Sequence, residues 1–156
     1  MTNLLRYGPA ALALMAAAAA SAQDVSSCTG PQSPFKLYVD VEGVKSSTGL
    51  VAVTLYADDS KKFLAHHGSL YVGRVPAQGG TTSVCIHVPR TGVYALAVYH
   101  DANANRRYDR TSLGLPAEGY GFSNNPPVFL GIPAWKGVRL AVPKTDTRTS
   151  IKLRYP

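Results

Sequence analysis

Phe35-Lys36-Leu37-Tyr38-Val39-Asp40-Val41 alternates apolar and polar side chains along most of its length. Successive side chains of an extended chain point to opposite faces. Phe35, Leu37, Val39 and Val41 therefore share one face, and Lys36, Tyr38 and Asp40 the other, as in a strand with one buried side. The same pattern recurs on either side of it. After a turn at Gly43 to Gly49, Leu50 to Tyr56 turns Val51, Val53 and Leu55 inward. Ser83 to Val88 puts Val84, Ile86 and Val88 on one face and Ser83, Cys85 and His87 on the other. Val93 to Tyr99 is apolar on both faces, as expected of a central strand covered on both sides. Trp135 to Val142 and Thr149 to Tyr155 complete the set, and Leu70 to Val75 adds a short strand. Pro89-Arg90-Thr91-Gly92 and Pro143 to Thr147 read as hairpin connections. Asp58-Asp59-Ser60 reads as the cap of a short helical turn through Lys61 to Leu64. About seven strands with turn signals between them, and no long amphipathic helix, predict an all-β fold. The expectation is a single antiparallel β-sandwich of immunoglobulin-like or transthyretin-like kind, with a closed barrel as the alternative.

The first 22 residues stand outside this domain. Arg6 precedes the Ala/Leu-rich run Ala10 to Ala20, and Ala20-Ser21-Ala22 fits the small-x-small cleavage rule. The run is shorter than the roughly 20 residues a membrane span requires. It reads as a signal peptide over 1–22, which implies a periplasmic or secreted bacterial protein, followed by an extended arm over 23–34 and the sandwich over 35–156. Export permits a disulfide, and Cys28 and Cys85 are the chain's two cysteines. With Cys85 on the face opposite Val84 and Ile86, a bridge to Cys28 would tie the arm across the outside of the sheet. The formal charge is +7 for the 156 residues, and Lys and Arg are scattered rather than clustered. Scatter and export together argue against nucleic acid. An envelope protein, a glycan or an anionic surface is the more natural partner, the last through long-range attraction.

The densest polar stretch follows the central strand: His100-Asp101-Ala102-Asn103-Ala104-Asn105-Arg106-Arg107-Tyr108-Asp109. Ca²⁺ takes six to eight oxygens, and side-chain oxygens at alternate positions can wrap it. Asp101, Asn103, Asn105, the carbonyl of Arg107 and Asp109 fill positions one, three, five, seven and nine of such a loop, with Glu118 available from its far side. Arg106 stands where the pattern wants Gly, and Ser112 where it wants a closing Glu. The other reading is an Asx-rich turn whose side chains bond their own backbone. Glu118-Gly119-Tyr120-Gly121-Phe122-Ser123-Asn124-Asn125 then mixes glycines with aromatics. Tyr120 and Phe122 either pack on the end of the sandwich or offer a stacking platform for a sugar or other flat ligand.

The segment from His100 to Asn125 resembles a bacterial family of exported proteins known as a conserved domain of unknown function. Its pattern has the form HDxNxN…D…G-P-E-G-Y-G-F-S-N-N. His100, Asp101, Asn103, Asn105, Asp109, Gly114, Pro116 and Glu118 through Asn125 match it position by position. Family members often carry Gly-Lys where this chain has Arg106-Arg107. The resemblance implies a sandwich-like envelope domain and supplies no established activity. A catalytic sketch can be drawn with His100 as base, Asp101 or Asp109 orienting it, and Glu118 or Ser123 as acid or nucleophile. His100 and Asp101 would point to opposite faces of one strand, and the region holds too few carboxylates for paired-carboxylate chemistry. A binding or structural module with the 100–125 loop as its functional surface is the expectation carried forward.

Overall fold

The structure is a computed structural model that describes residues 27–156, so the expected signal peptide lies outside the described residues. Two sheets pack face to face. The first has the order β10-β1-β4, from Thr147–Lys152, Phe35–Val44 and Gly80–Val88. The second has the order β3-β2-β5-β6, from Tyr71–Pro76, Leu50–Ala57, Gly92–Asp101 and Gly119–Phe122, and β9 (Arg139–Val142) also pairs with β5. A separate hairpin joins β7 (Val128–Phe129) to β8 (Ile132–Pro133), and one helical turn, α1 (Trp135–Val138), precedes β9.

The alternating residues face each other across this sandwich. Leu37, Val39 and Val41 of β1 meet Val51, Val53 and Leu55 of β2, with Val84, Ile86 and Val88 of β4, Leu96 of β5 and Ile151 of β10 completing one buried cluster. The strength of the sandwich lies in this apolar burial, at about 1.5–3 kcal/mol for each fully buried large side chain. β5 is covered on its other face too, where Ala95, Tyr56, Phe122 and Val138 form a second cluster with Phe63 and Trp135 packed against it. The two-sided apolar reading of this strand therefore holds.

The connections differ from the expectation. Pro89 to Gly92 joins β4 of the first sheet to β5 of the second, and Pro143 to Thr147 joins β9 of the second to β10 of the first. Both cross between sheets and neither closes a hairpin. Turn residues mark where the chain reverses, but the partner of the next strand depends on distant residues. One pairing is parallel: β10 runs along β1, with Tyr38 opposite Arg148 and Val41 opposite Ile151. Trp135 to Val142 is not one strand either, because its first four residues form α1.

The N-terminal arm is also placed differently. Cys28 and Cys85 are bonded, with Cα atoms 4.5 Å apart. Thr29 donates its N–H to the Cys85 carbonyl (2.9 Å) and accepts the N–H of His87 (3.0 Å), forming a parallel bridge at Ile86. The arm thus lines the free edge of β4 rather than crossing the sheet's outer face. An unpaired edge is a row of unsatisfied donors and acceptors, and the arm satisfies two of them.

Candidate functional site

The loop after β5 is built from its own side chains. Asp101 is fully buried, and its carboxylate accepts the N–H of Asn105 (3.0 Å) and of Arg106 (2.7 Å). Asn103 Oδ1 accepts the same Asn105 N–H (3.1 Å), and Asn105 Oδ1 accepts the N–H of Arg107 (2.8 Å). The amide groups of Asn103 and Asn105 both donate to Asp109 Oδ2, at 2.9 and 2.8 Å. Asp109 N–H in turn donates to Glu118 Oε2 (3.0 Å). Asp101, Asn103, Asn105, Asp109 and Glu118 therefore do come together as one network. Most of their oxygens turn to the loop's backbone, as Asx turns do. Among the described residues, no three His, Cys, Asp or Glu side chains are grouped so as to hold a metal ion. Arg106, at the position where a cation loop carries Gly, adopts φ +62°, the left-handed region that glycine enters without cost. Burial pushes the Glu118 carboxyl above its ordinary range, the bond from Asp109 N–H pulls it back, and the nearby Asp109 and Asp101 charges push it up further.

The other polar residues of the segment are structural ties. His100 is buried, with Nε2 2.8 Å from the Thr48 carbonyl and Nδ1 2.8 Å from the Tyr155 hydroxyl. A carbonyl only accepts, so Nε2 carries a proton, and the neutral ring's Nδ1 accepts from the Tyr155 O–H. That hydroxyl also accepts the N–H of Lys45 (3.0 Å). Asp101 takes no part in this chain, so no His–carboxylate pair exists here. Ser123 fills a gap in the sheet. β9 pairs with Gly92 to Ala95 of β5, and β6 pairs with Ala97 to His100. Leu96 falls between them. Its carbonyl accepts Ser123 N–H (3.1 Å), its N–H donates to Ser123 Oγ (3.0 Å), and that Oγ donates to the Val138 carbonyl. Asn124 donates to the carbonyls of Gly137 (3.2 Å) and Arg139 (2.8 Å). Asn125 reaches the other sheet, donating to Ser150 O (3.1 Å) and accepting Lys152 N–H (2.7 Å).

The aromatics of the segment do something else. Thr54 and Tyr56 of β2, Ala97 and Tyr99 of β5, and Tyr120 and Phe122 of β6 line a cavity of about 240 Å³ on the outer face of the second sheet. Its walls come from Leu64, from Tyr108 and Arg110 of the long loop, and from Gly131 of the β7–β8 hairpin. Thr54 lies opposite Ala97 in the β2–β5 register, and these two small side chains leave the floor open. Tyr108 stacks at an angle on Tyr99 (5.4 Å between centroids) and edge-on to Tyr120 (6.3 Å). The Arg110 guanidinium sits 5.1 Å from the Tyr108 ring centre and donates to the Gly114 carbonyl (2.8 Å). The Tyr108 hydroxyl is buried and has no hydrogen-bond partner among the described residues. Burial is the main force raising the Tyr108, Tyr99 and Tyr56 hydroxyls above the ordinary phenol range, Tyr108 the most, so these hydroxyls remain donors.

Tyr120 and Phe122 are the expected ligand-loop residues that reach this cavity. Tyr56, Tyr99, Tyr108 and Arg110 are additions. The signal for Tyr56 was its place opposite the core face of β2. Tyr108 and Arg110 carried no signal without the register that folds the loop back over the sheet. No curated protein and no solved structure matches the chain. The family described as "Uncharacterized protein conserved in bacteria" (DUF2141) has a model that matches residues 39–151, a span running from β1 to β10 and containing the whole loop network and cavity. With the greater part of its length matched, the chain belongs to this bacterial family.

Proposed function

We propose that this chain is an exported, envelope-associated binding module that holds a small ring-bearing ligand, a sugar or an aromatic, in the cavity on the outer face of the second sheet. One observation supports the reading above the others. The 100–125 segment spends its Asp and Asn side chains and Ser123 on backbone groups and on one another, and presents Tyr108, Arg110, Tyr120 and Phe122 to the cavity. Binding sites of this kind are concave and mostly apolar, with a few placed polar groups. The unpartnered Tyr108 hydroxyl and the free donors of Arg110 are such groups. Titration with phenol and, separately, methyl glucoside tests it by NMR. Shifts of the Thr54 and Ala97 methyl signals are expected with one probe, and the Thr54 shift should vanish in Ala97→Phe, which fills the floor. No shift with either probe at millimolar concentration refutes the reading.

A second reading, Ca²⁺ binding by the Asp101 to Asp109 loop, is favoured by the convergence of Asn103 and Asn105 on Asp109. Rotating the two amides to exchange nitrogen for oxygen would aim their oxygens where the donors now stand. A rise in melting temperature at millimolar Ca²⁺, lost in Asp109→Ala, would support it, and no rise would remove it.

A further inference from the structure

Seven large apolar side chains are exposed among the described residues, and six of them lie in the three segments that wall the cavity. Leu64 lines it, and so does Gly131, the turn residue of the hairpin that carries Phe129, Leu130 and Ile132. A Cβ placed on Gly131 would lie 2.7 Å from Pro116 Cγ, so this tip abuts a second one. That second tip is closed by the bridge between Arg110 and Pro116, and Leu113 and Leu115 lie within it. Leu113 is 85% exposed, Phe129 79% and Leu130 62%. Their side chains contribute nothing to either buried cluster. Apolar patches of this kind mark sites of interaction.

Around the tips, exposed cations outnumber acids. Arg110 begins the second tip, Lys61 and Lys62 precede Leu64, and Arg106 and Arg107 precede Tyr108, all exposed. The neighbouring acids are occupied within the fold: Asp59 accepts Lys61 N–H (2.8 Å), Asp58 pairs with Arg139, and Asp109 takes both asparagine amides. Protruding apolar side chains surrounded by cations are the composition that seats a protein at an anionic lipid interface.

We propose that the two tips enter the interfacial layer of an anionic bilayer, with Leu113, Phe129 and Leu130 among the acyl chains and Arg110, Lys61 and Lys62 on the headgroups. This goes beyond the cavity reading and does not depend on it. Co-sedimentation tests it with the chain from Gln23 onward, which carries the whole described fold and lacks the apolar 1–22 segment. Vesicles of phosphatidylcholine are compared with and without phosphatidylglycerol. Binding is expected with phosphatidylglycerol and is expected to fall with added salt. Arg110→Ala should weaken it about fivefold. The combined change Leu113→Ser, Phe129→Ser and Leu130→Ser should weaken it by about a hundredfold or more, with the far-ultraviolet circular dichroism unchanged because all three side chains are exposed. Three results would overturn the proposal: no sedimentation with phosphatidylglycerol vesicles, sedimentation that the triple serine change leaves intact, or self-association through the tips in place of vesicle binding.

Discussion

Replacing Ser123 by Ala separates a structural serine from a catalytic one. Ser123 is fully buried, and its Oγ serves two backbone groups at once, accepting from Leu96 N–H and donating to Val138 O. Ala deletes that oxygen and adds nothing in its place. Both backbone groups are then buried without partners, at about 1–3 kcal/mol each. The sum, about 2–6 kcal/mol, is a large share of the roughly 5–15 kcal/mol by which a domain is stable. With a urea slope of about 2 kcal/mol per M, the unfolding midpoint should fall by about 1–3 M at unchanged slope. Trp135 lies in α1, the element this bond holds, so its fluorescence reports the change directly. Asn124→Ala is the comparison: it removes two bonds from an exposed side chain, where water can replace them, and should cost less. A Ser123→Ala midpoint within about 0.5 M of the parent would refute the reasoning, because it would mean that the gap between β6 and β9 is not closed by this oxygen.

Arg106→Gly should raise stability by about 1 kcal/mol, since Arg106 sits at φ +62° and a left-handed non-glycine residue carries roughly that strain; a lower melting temperature would show that the Arg106 side chain contributes more than its backbone costs. Replacing both Cys28 and Cys85 by Ser should cost about 4 kcal/mol, the loop-closure entropy for a separation of 57 residues. Hydrogen exchange should show the Cys28 to Gly30 arm leaving the edge of β4 first, and equal protection in both proteins would count against that. Glu118 is held above its ordinary value of 4.5 by burial, so the folded state prefers its neutral form. Stability from this group is therefore present below 4.5 and falls as pH rises through the folded value. Glu118→Gln should flatten the decline in melting temperature between 4.5 and neutrality, and an unchanged slope would rule out Glu118 as its source. Asp40 acts in the opposite sense and in a lower window: burial raises its carboxyl, but Ser83 and Arg148 outweigh that and lower it, so its contribution is lost as pH falls below 3.8.

Of the strands legible in the sequence, β1 and β4 bury one face more completely than the other. Leu37-Val39-Val41 and Val84-Ile86-Val88 announce themselves because water on one side and core on the other impose a period of two. β6 did not. Gly119-Tyr120-Gly121-Phe122 looks like a loop, since glycine weakens a strand. The structure supplies the reason for both glycines. A Cβ at Gly119 would overlap the Tyr155 ring, and one at Gly121 would come within 2.7 Å of Ile151 Cγ2. The demand for glycine thus comes from residues some 30 positions downstream in sequence. α1 was hidden for a simpler reason: one turn is too short to show a helical period. The loop network was legible as a cluster, because Asp101, Asn103, Asn105 and Asp109 stand at regular spacing. The direction of their oxygens was not, since the same spacing serves a cation or a backbone turn. The cavity lay deepest, because it needs Thr54 and Ala97 side by side on separate strands before Tyr108 has anything to cover.

The parallel pairing of β10 with β1 sets the order in which the domain can close. Tyr38 stands opposite Arg148 and Glu42 opposite Lys152, so the first strand of the sandwich waits for the last. Asn125 adds its bonds to Ser150 and Lys152 only after that strand has arrived. A chain that emerges from its N-terminus can assemble β2, β3 and β5 and join Cys28 to Cys85 early. Its first sheet keeps an unpaired edge on β1 until residue 152 is available. Pairings of such long range close slowly, so the first sheet stays open at β1 for as long as its final strand is missing.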